Sequence, residues 1–274
     1  MTTAIPYWHV DAFAAAPFGG NQAAVMVLDE WLADDVLQAI GEENAFAETA
    51  FLVRDASGVA DHELRWFTPT SEVKMCGHAT LASGHVLLLQ DESQDRVTFR
   101  TRDAGVLEVR RDDAGYALSL PTSRVEERAM PELLGALGVD APAFDTVEGT
   151  EQTTIVLLED EAAVRAVAPD MRALEGIDRM AICTARGPGS GSGAGADVVS
   201  RVFVPAWGVP EDSVTGSAHA ALTPFWAERL GRYDFTAHQA SARGGDLTCR
   251  LEGNRAWLGG PCVTVVEGRF YLSG

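Results

Sequence analysis

The sequence predicts an α+β fold made of two similar halves. Three observations carry this: a series of short strands punctuated by turn residues, one helix-length apolar segment set among them, and a short motif that returns in the second half.

The elements follow in order. "YWHVDAF" at 7–13 alternates and is rich in aromatic and β-branched residues, so a strand is expected. "DEWLADDVLQAIGEENA" places Trp31, Leu32, Val36, Leu37 and Ile40 near helical spacing, with acids in its first turns where the helix dipole favours them. "TAFLVR", "HELRWF", "RVTFRT", "GVLEVRR" and "GYALSL" are separated by Asp-Ala-Ser-Gly, Asp-Ala-Gly and Asp-Asp-Ala-Gly turns, which predicts an antiparallel meander. The segment 79–90 has the small-apolar content of a buried helix. From about residue 122 the pattern restarts, with a helix at 131–138, a strand "TTIVLLE" and a helix near 161–168. The domains expected are therefore 1–121 and 122–274. "GPGSGSGAGAD" at 187–197 is expected to be a solvated connection, and "EGNRAWLGG" and "VVEGRFYL" hairpins.

Bulk properties exclude several classes. A net charge of −19 repels phosphate backbones and anionic lipid, so neither nucleic acid nor membrane is an expected partner. Cysteines at 76, 183, 249 and 262 have no metal-knuckle spacing and no disulfide density, which fits a reducing compartment and no metal. His9, His62, His85, His219 and His238 form no ligand grouping. The N-terminus lacks a basic region before an apolar run, and the apolar stretch at 79–89 is broken by Gly84 and His85. A cytoplasmic location is expected.

The repeat aligns "RWFTP" at 65–69 with "RVFVP" at 201–205, and "EVKMCGHA" at 72–79 with "EDSVTGSA" at 211–218. Six of thirteen positions are identical with one three-residue insertion, against roughly one expected by composition. Each half thus carries a strand, a tight turn and a helix starting at a glycine. Free N–H groups at such a helix start, with the positive end of its dipole, suit a carboxylate, making Gly77, Ala79, Gly216 and Ala218 substrate-binding candidates. Close packing of helix on strand is the other reading of the glycines.

"HVDAF", "GGNQAAV", "FAETAFLV", "RWFTPTSEVKMCGHATLASGHVL" and "RVFVPAWGVPEDSVTGSAHAALTPFWA", in this order, resemble the PhzF-type family of phenazine-biosynthesis isomerases. The resemblance implies a diaminopimelate epimerase-like fold, in which each of two lobes is a barrel-like, mostly antiparallel sheet around a central helix, with the active site between lobes. It implies a cofactor-independent isomerase, usually a homodimer. It also implies that Glu48 is the catalytic acid, supported by His78, Asp212 and Ser217. One departure is Gln22, where the family more often has proline.

The residues suit that chemistry. Moving a hydrogen between carbons of a small cyclic or unsaturated carboxylic acid needs one group that takes a proton and returns it, and a carboxylate in an apolar setting serves. On a strand Glu48 shares a face with Phe46 and Ala50. His78 at a helix start faces positive potential and is expected to stay neutral. Cys76 raises the alternative of an amino-acid racemase or epimerase; a two-thiol version is disfavoured because its repeat partner is Thr215, whose hydroxyl has no accessible pKa for that work, which leaves Cys76 with Glu48 or Asp212 as the second base. A non-catalytic small-molecule binder on the same scaffold is the remaining alternative.

Overall fold

The computed structural model describes residues 2–149, 151–189 and 195–273. Backbone contacts divide the chain into two compact units, Met1–Ser119 with Gly259–Gly274, and Leu120–Leu258.

In chain order the first unit holds β1 (Thr2–Ala12), β2 (Asn21–Val27), α1 (Asp34–Asn44), β3 (Glu48–Arg54), β4 (His62–Phe67), β5 (Glu72–Val73), α2 (Gly77–Gln90), β6 (Arg96–Arg100), β7 (Val106–Asp112) and most of β8 (Gly115–Pro121). Helix α1 starts with Asp34 and Asp35 in its first turn, as the dipole favours, and buries Leu37 and Ile40 against Met26, Phe51 and Phe67. Helix α2 differs in kind, because it is buried on all sides from Gly77 to Val86 and packs against β1, β2, β3, β6 and β7. Gly84 makes that possible: a Cβ there would lie 2.3 Å from Val109 Cγ1.

The second unit begins near the end of β8 and continues with β9 (Arg124–Glu127), α3 (Pro131–Leu137), β10 (Ala143–Glu148), β11 (Thr153–Leu157), α4 (Glu161–Ala166), α5 (Met171–Glu175), β12 (Met180–Arg186), β13 (Val198–Val204), β14 (Val209–Asp212), α6 (Gly216–Leu230), β15 (Asp234–Gln239), β16 (Gly245–Glu252) and β17 (Arg255–Gly260). The final strand, β18 (Cys262–Ser273), returns to the first unit and pairs antiparallel with β1. Helix α6 is the counterpart of α2, with ten of its residues buried between Gly216 and Ala227.

The duplication extends well beyond the thirteen aligned residues. Strands β2 and β3 are parallel, β3 and β4 antiparallel, β4 and β5 antiparallel, β4 and β6 parallel, and β6 and β7 antiparallel. Strands β11 to β16 repeat this sequence of pairings around α6 without a change of sign.

Three expectations need correction. The strands from 49 to 120 are not one antiparallel meander, because α2 carries the chain across and makes β4 and β6 parallel neighbours. "VVEGRFYL" is not a hairpin: Gly268 lies inside β18 opposite Tyr7, so the strand runs straight through it. For the same reason residues 259–274 belong with the first unit and not with 122–258. Within 187–197, residues 190–194 lie outside the described residues; on either side, Gly187 and Gly189 donate backbone hydrogen bonds to Asp197 and Ala196.

Candidate functional site

In the first unit, three motifs far apart in sequence meet around the start of α2. Glu48 opens β3, which the parallel register sets beside Ala23 of β2. His78 occupies the first turn of α2, and Asn21 is the first residue of β2. The turn ahead of Asn21 depends on glycine: Gly20 has φ +61°, and a Cβ there would stand 2.2 Å from the Ala12 carbonyl oxygen. Phe18 N–H donates to Asp11 Oδ2 at 2.8 Å, tying the same turn to β1.

The geometry is close. His78 Nε2 lies 3.0 Å from Glu48 Oε2, while His78 Nδ1 is 3.1 Å from Asn21 Nδ2 and 3.5 Å from Cys76 Sγ. His78 and Asn21 are almost wholly buried, and the Glu48 side chain keeps 16% exposure. Glu48 Oε2 is itself buried and outside hydrogen-bond alignment with the imidazole, so it has no hydrogen-bond partner among the described residues. A carboxylate oxygen in that condition is costly to keep unless something else comes to meet it.

Charges there shift one another. Burial opposes charging His78, but its contacts with Cys76 and Glu48 outweigh burial and raise its pKa well above the ordinary 6.5. Burial, reinforced by the Glu48 carboxylate, pushes the Cys76 thiol up to about 12. Cys76 is therefore a neutral thiol near pH 7, and Glu48 is the partner that favours the imidazolium. The expectation that the helix start would keep His78 neutral needs correction, because its contacts with Cys76 and Glu48 raise its pKa. Sulfur, nitrogen and carboxylate donors of Cys76, His78 and Glu48 all lie within 4.8 Å of one another, which are donor types a zinc ion accepts. A metal would first have to displace the tightly held thiol proton.

The second unit repeats the frame with different chemistry. Thr215 takes the place of Cys76 before α6, and both residues have extended backbone with no side-chain cap. Thr80 Oγ1 donates to the Cys76 carbonyl at 2.5 Å, and His219 Nδ1 donates to the Thr215 carbonyl at 2.8 Å, four residues back in each case. Asp212 Oδ2 accepts from Thr215 Oγ1 at 2.6 Å, and Asp212 Oδ1 from Ser213 N–H at 2.9 Å. Gln239, fully buried, accepts from Thr215 N–H and donates to Thr215 Oγ1 and the Asp212 carbonyl, so it clamps this turn. Ser217 is half-buried on the first turn of α6, while Gly216 and Ala218 are buried like Gly77 and Ala79.

The register also shows what the second unit lacks. Thr49 pairs with Phe67 and Ala181 with Phe203, so Met180 stands where the first unit has Glu48. Only one of the two frames carries the carboxylate.

The family model described as phenazine biosynthesis-like protein matches residues 10–268. The chain belongs to that family. An uncharacterized isomerase of Pseudomonas aeruginosa is 47% identical to it over 272 residues, covering 98% of this chain and 99% of that one. Among solved structures, a PhzF-family phenazine biosynthesis protein from Enterococcus faecalis has a TM-score of 0.86 at 38% identity, with 98% of this chain and all of that chain covered. A hydroxyproline epimerase from Agrobacterium vitis, 14% identical with a TM-score of 0.62, covering 99% and 93% of the two chains, shares the fold. As a phenazine biosynthesis-like protein the chain is an isomerase on an epimerase-like α+β scaffold. Among its described residues no helix is long and apolar enough to cross a membrane.

Of the residues singled out from sequence, Glu48, His78 and Cys76 come together in the first unit and Asp212 with Thr215 in the second. Two contributors had no role assigned from sequence. Asn21 lies in "GGNQAAV", where its position after two glycines was the available signal. Gln239 lies in an ordinary strand, and nothing local marks it.

Proposed function

We propose that the protein moves a proton, and with it a double bond, within a small cyclic or unsaturated carboxylic acid, without a cofactor and with Glu48 as the single acid–base group. Glu48 takes a proton from an sp3 carbon, and the C–H electron pair becomes the new double bond. The electrons of the original double bond then collect the same proton from the Glu48 carboxyl group at their far carbon. The substrate returns to its starting charge and no electron is gained or lost.

The observation that carries this reading is Glu48, partly exposed with its buried Oε2 3.0 Å from His78 Nε2 and without a hydrogen-bond partner among the described residues, together with methionine at the equivalent position of the repeat. A single carboxylate that keeps some exposure suits removal and return of a proton by the same group. His78 stabilises whichever charge Glu48 carries at each stage. The uncapped start of α2 at Gly77–Ala79 is the part we assign to binding the substrate carboxylate, and the start of α6 at Gly216–Ala218 repeats that geometry within its own unit. Roles for Asp212 and Ser217 in holding substrate rest on the family motifs.

The test is proton NMR in D2O with a panel of small unsaturated and amino carboxylic acids. Loss of a carbon-bound proton signal with the protein, and its retention with Glu48→Gln, supports proton transfer; a product with a moved double bond separates isomerisation from racemisation. Equal exchange by the wild type and Glu48→Gln would sink the assignment of the base. Heat stabilisation by a panel member without exchange would favour a binding protein.

A further inference from the structure

Asn21 holds the key to which nitrogen of His78 carries the proton. The imidazole touches three side chains: Glu48 at Nε2, Asn21 at Nδ1, and Cys76, whose sulfur lies 3.5 Å from Nδ1 and 4.0 Å from Nε2. Cys76 is a weak partner of either sense at 3.5 Å. The Asn21 amide is better placed, 3.1 Å away and 2% exposed, with Nδ2 toward the ring. An amide N–H can only donate, so the ring nitrogen it faces must offer a lone pair. In a neutral imidazole that leaves the proton on the other nitrogen, the one beside Glu48.

We propose that Asn21 is a positioning residue that fixes neutral His78 as its Nε2–H tautomer, so that an N–H always faces the Glu48 carboxylate and the nitrogen that titrates is Nδ1. The inference rests on the reading of Glu48 as the acid–base group only for its consequence, since the tautomer itself exists without substrate. Chemically, the arrangement separates two proton movements. Nε2 keeps its proton in both charge states of the ring, on the side that lies 3.0 Å from Glu48 Oε2. The ring's second proton is gained or lost on the far side, at Nδ1, the nitrogen that Asn21 Nδ2 faces at 3.1 Å. With the opposite tautomer, a bare Nε2 would face a carboxylate and repel it.

Asn21 is placed for this by the backbone around it. Gly20 in the left-handed region and the Phe18–Asp11 bond set the turn that delivers Asn21 to the first position of β2. That gives a physical reason for asparagine after Gly-Gly.

The experiment is 15N NMR of the full chain labelled at histidine ring nitrogens, followed over a pH series, with the His78 signals identified by their absence in His78→Asn. Above the pH at which the ring loses its charge, the wild type should show an unprotonated Nδ1 and a protonated Nε2, with resonances far apart. Because the Glu48 carboxylate also favours Nε2–H, the variants are read in a Glu48→Gln background: there Asn21→Ala should draw the two together as both tautomers populate, and the near-isosteric Asn21→Asp should make them exchange places, because a carboxylate can only accept. A wild-type Nδ1–H tautomer would overturn the proposal, as would the wild-type pattern persisting in Asn21→Asp in that background with the fold intact by circular dichroism. Neither result bears on whether Glu48 moves a substrate proton, which the D2O exchange reads separately.

Discussion

Arg201 grips Glu211 with two parallel hydrogen bonds, Nε to Oε1 at 2.8 Å and Nη2 to Oε2 at 2.9 Å, and Arg65 holds Glu72 in the same fork with both bonds at 2.8 Å. Each guanidinium also lies over a phenylalanine ring two residues on, Phe203 at 4.9 Å and Phe67 at 5.0 Å. These are the identities that made the repeat visible. They join a central-facing strand to the turn before each helix start, so they are joints of the frame and not groups of the site. Removing Glu211 leaves the Arg201 guanidinium with only the Arg165 and Val167 carbonyls as acceptors. Glu211→Gln should lower unfolding free energy by about 1–3 kcal/mol, and Arg201→Lys, which cannot reproduce the fork, by a similar direction. Chemical denaturation of both single variants and the double would show strong non-additivity; additive losses would mean that the pair is not coupled.

Two histidines that touch neither Glu48 nor His78 govern acid stability. Burial lowers His85 and His219 from 6.5 to about 4. In the folded chain each stays neutral while the unfolded chain binds a proton, so stability falls as pH drops from 6.5 towards 4. Each contributes a loss on the order of 3 kcal/mol across that window. His78 works with the opposite sign: its raised pKa gives stability that is full below 6.5 and is lost as pH rises through the folded value. Melting temperatures between pH 4.5 and 7 should climb with pH, and His219→Gln should flatten the climb even though it loses the bond to the Thr215 carbonyl. An unchanged slope would show that His219 does not carry the effect.

Much of this fold was legible because it is written in local chemistry. Strands such as 48–54 and 62–67 alternate or run apolar between turn residues, and the stretch of small and apolar residues after His78 reads as a buried helix. The repeat was legible at its joints, where Arg, Phe, Pro, Glu and Gly each do a backbone or pairing job that other residues do poorly. What could not be read was long-range pairing. Nothing between residues 67 and 96 says that β6 will lie parallel to β4, and Gly268 looks like a turn until β1 is found opposite it. The site divides in the same way. Glu48, His78 and Asp212 came through motifs, whereas Gln239 became visible only because folding brings its buried amide against Thr215. His78 shows the limit of arguing from a helix start alone, since Cys76 and Glu48, which folding sets against its ring, raise its pKa.

Gly84 offers a direct check on how tightly α2 is held. Alanine in a helix interior is ordinarily favoured over glycine by about 1 kcal/mol. Here the added methyl would stand 2.3 Å from Val109 Cγ1 and 2.5 Å from Val109 Cβ, in a strand that cannot retreat without breaking its ladder. Gly84→Ala should therefore destabilise, by roughly 1–3 kcal/mol net. Adding Val109→Ala should recover part of the loss, although Val109→Ala alone is destabilising. If Gly84→Ala raises the denaturation midpoint, helix and strand are not packed as closely as the distances say.

Cys76 separates a single-carboxylate isomerase from a thiol-based racemase. Burial pushes all four cysteines up to about 12, and none forms a disulfide. A thiol that keeps its proton is a poor base and a poor nucleophile at neutral pH. Folded protein exposed to iodoacetamide at pH 7.5 should therefore gain almost no mass, while the unfolded chain gains four adducts. Cys76→Ser should retain turnover within about tenfold on whichever acid the D2O panel reveals, whereas loss of a general base typically costs 10²–10⁴-fold. A drop of that size in Cys76→Ser, matched by rapid alkylation of Cys76 in the folded protein that substrate prevents, would transfer the proton chemistry from Glu48 alone to a carboxylate–thiol pair.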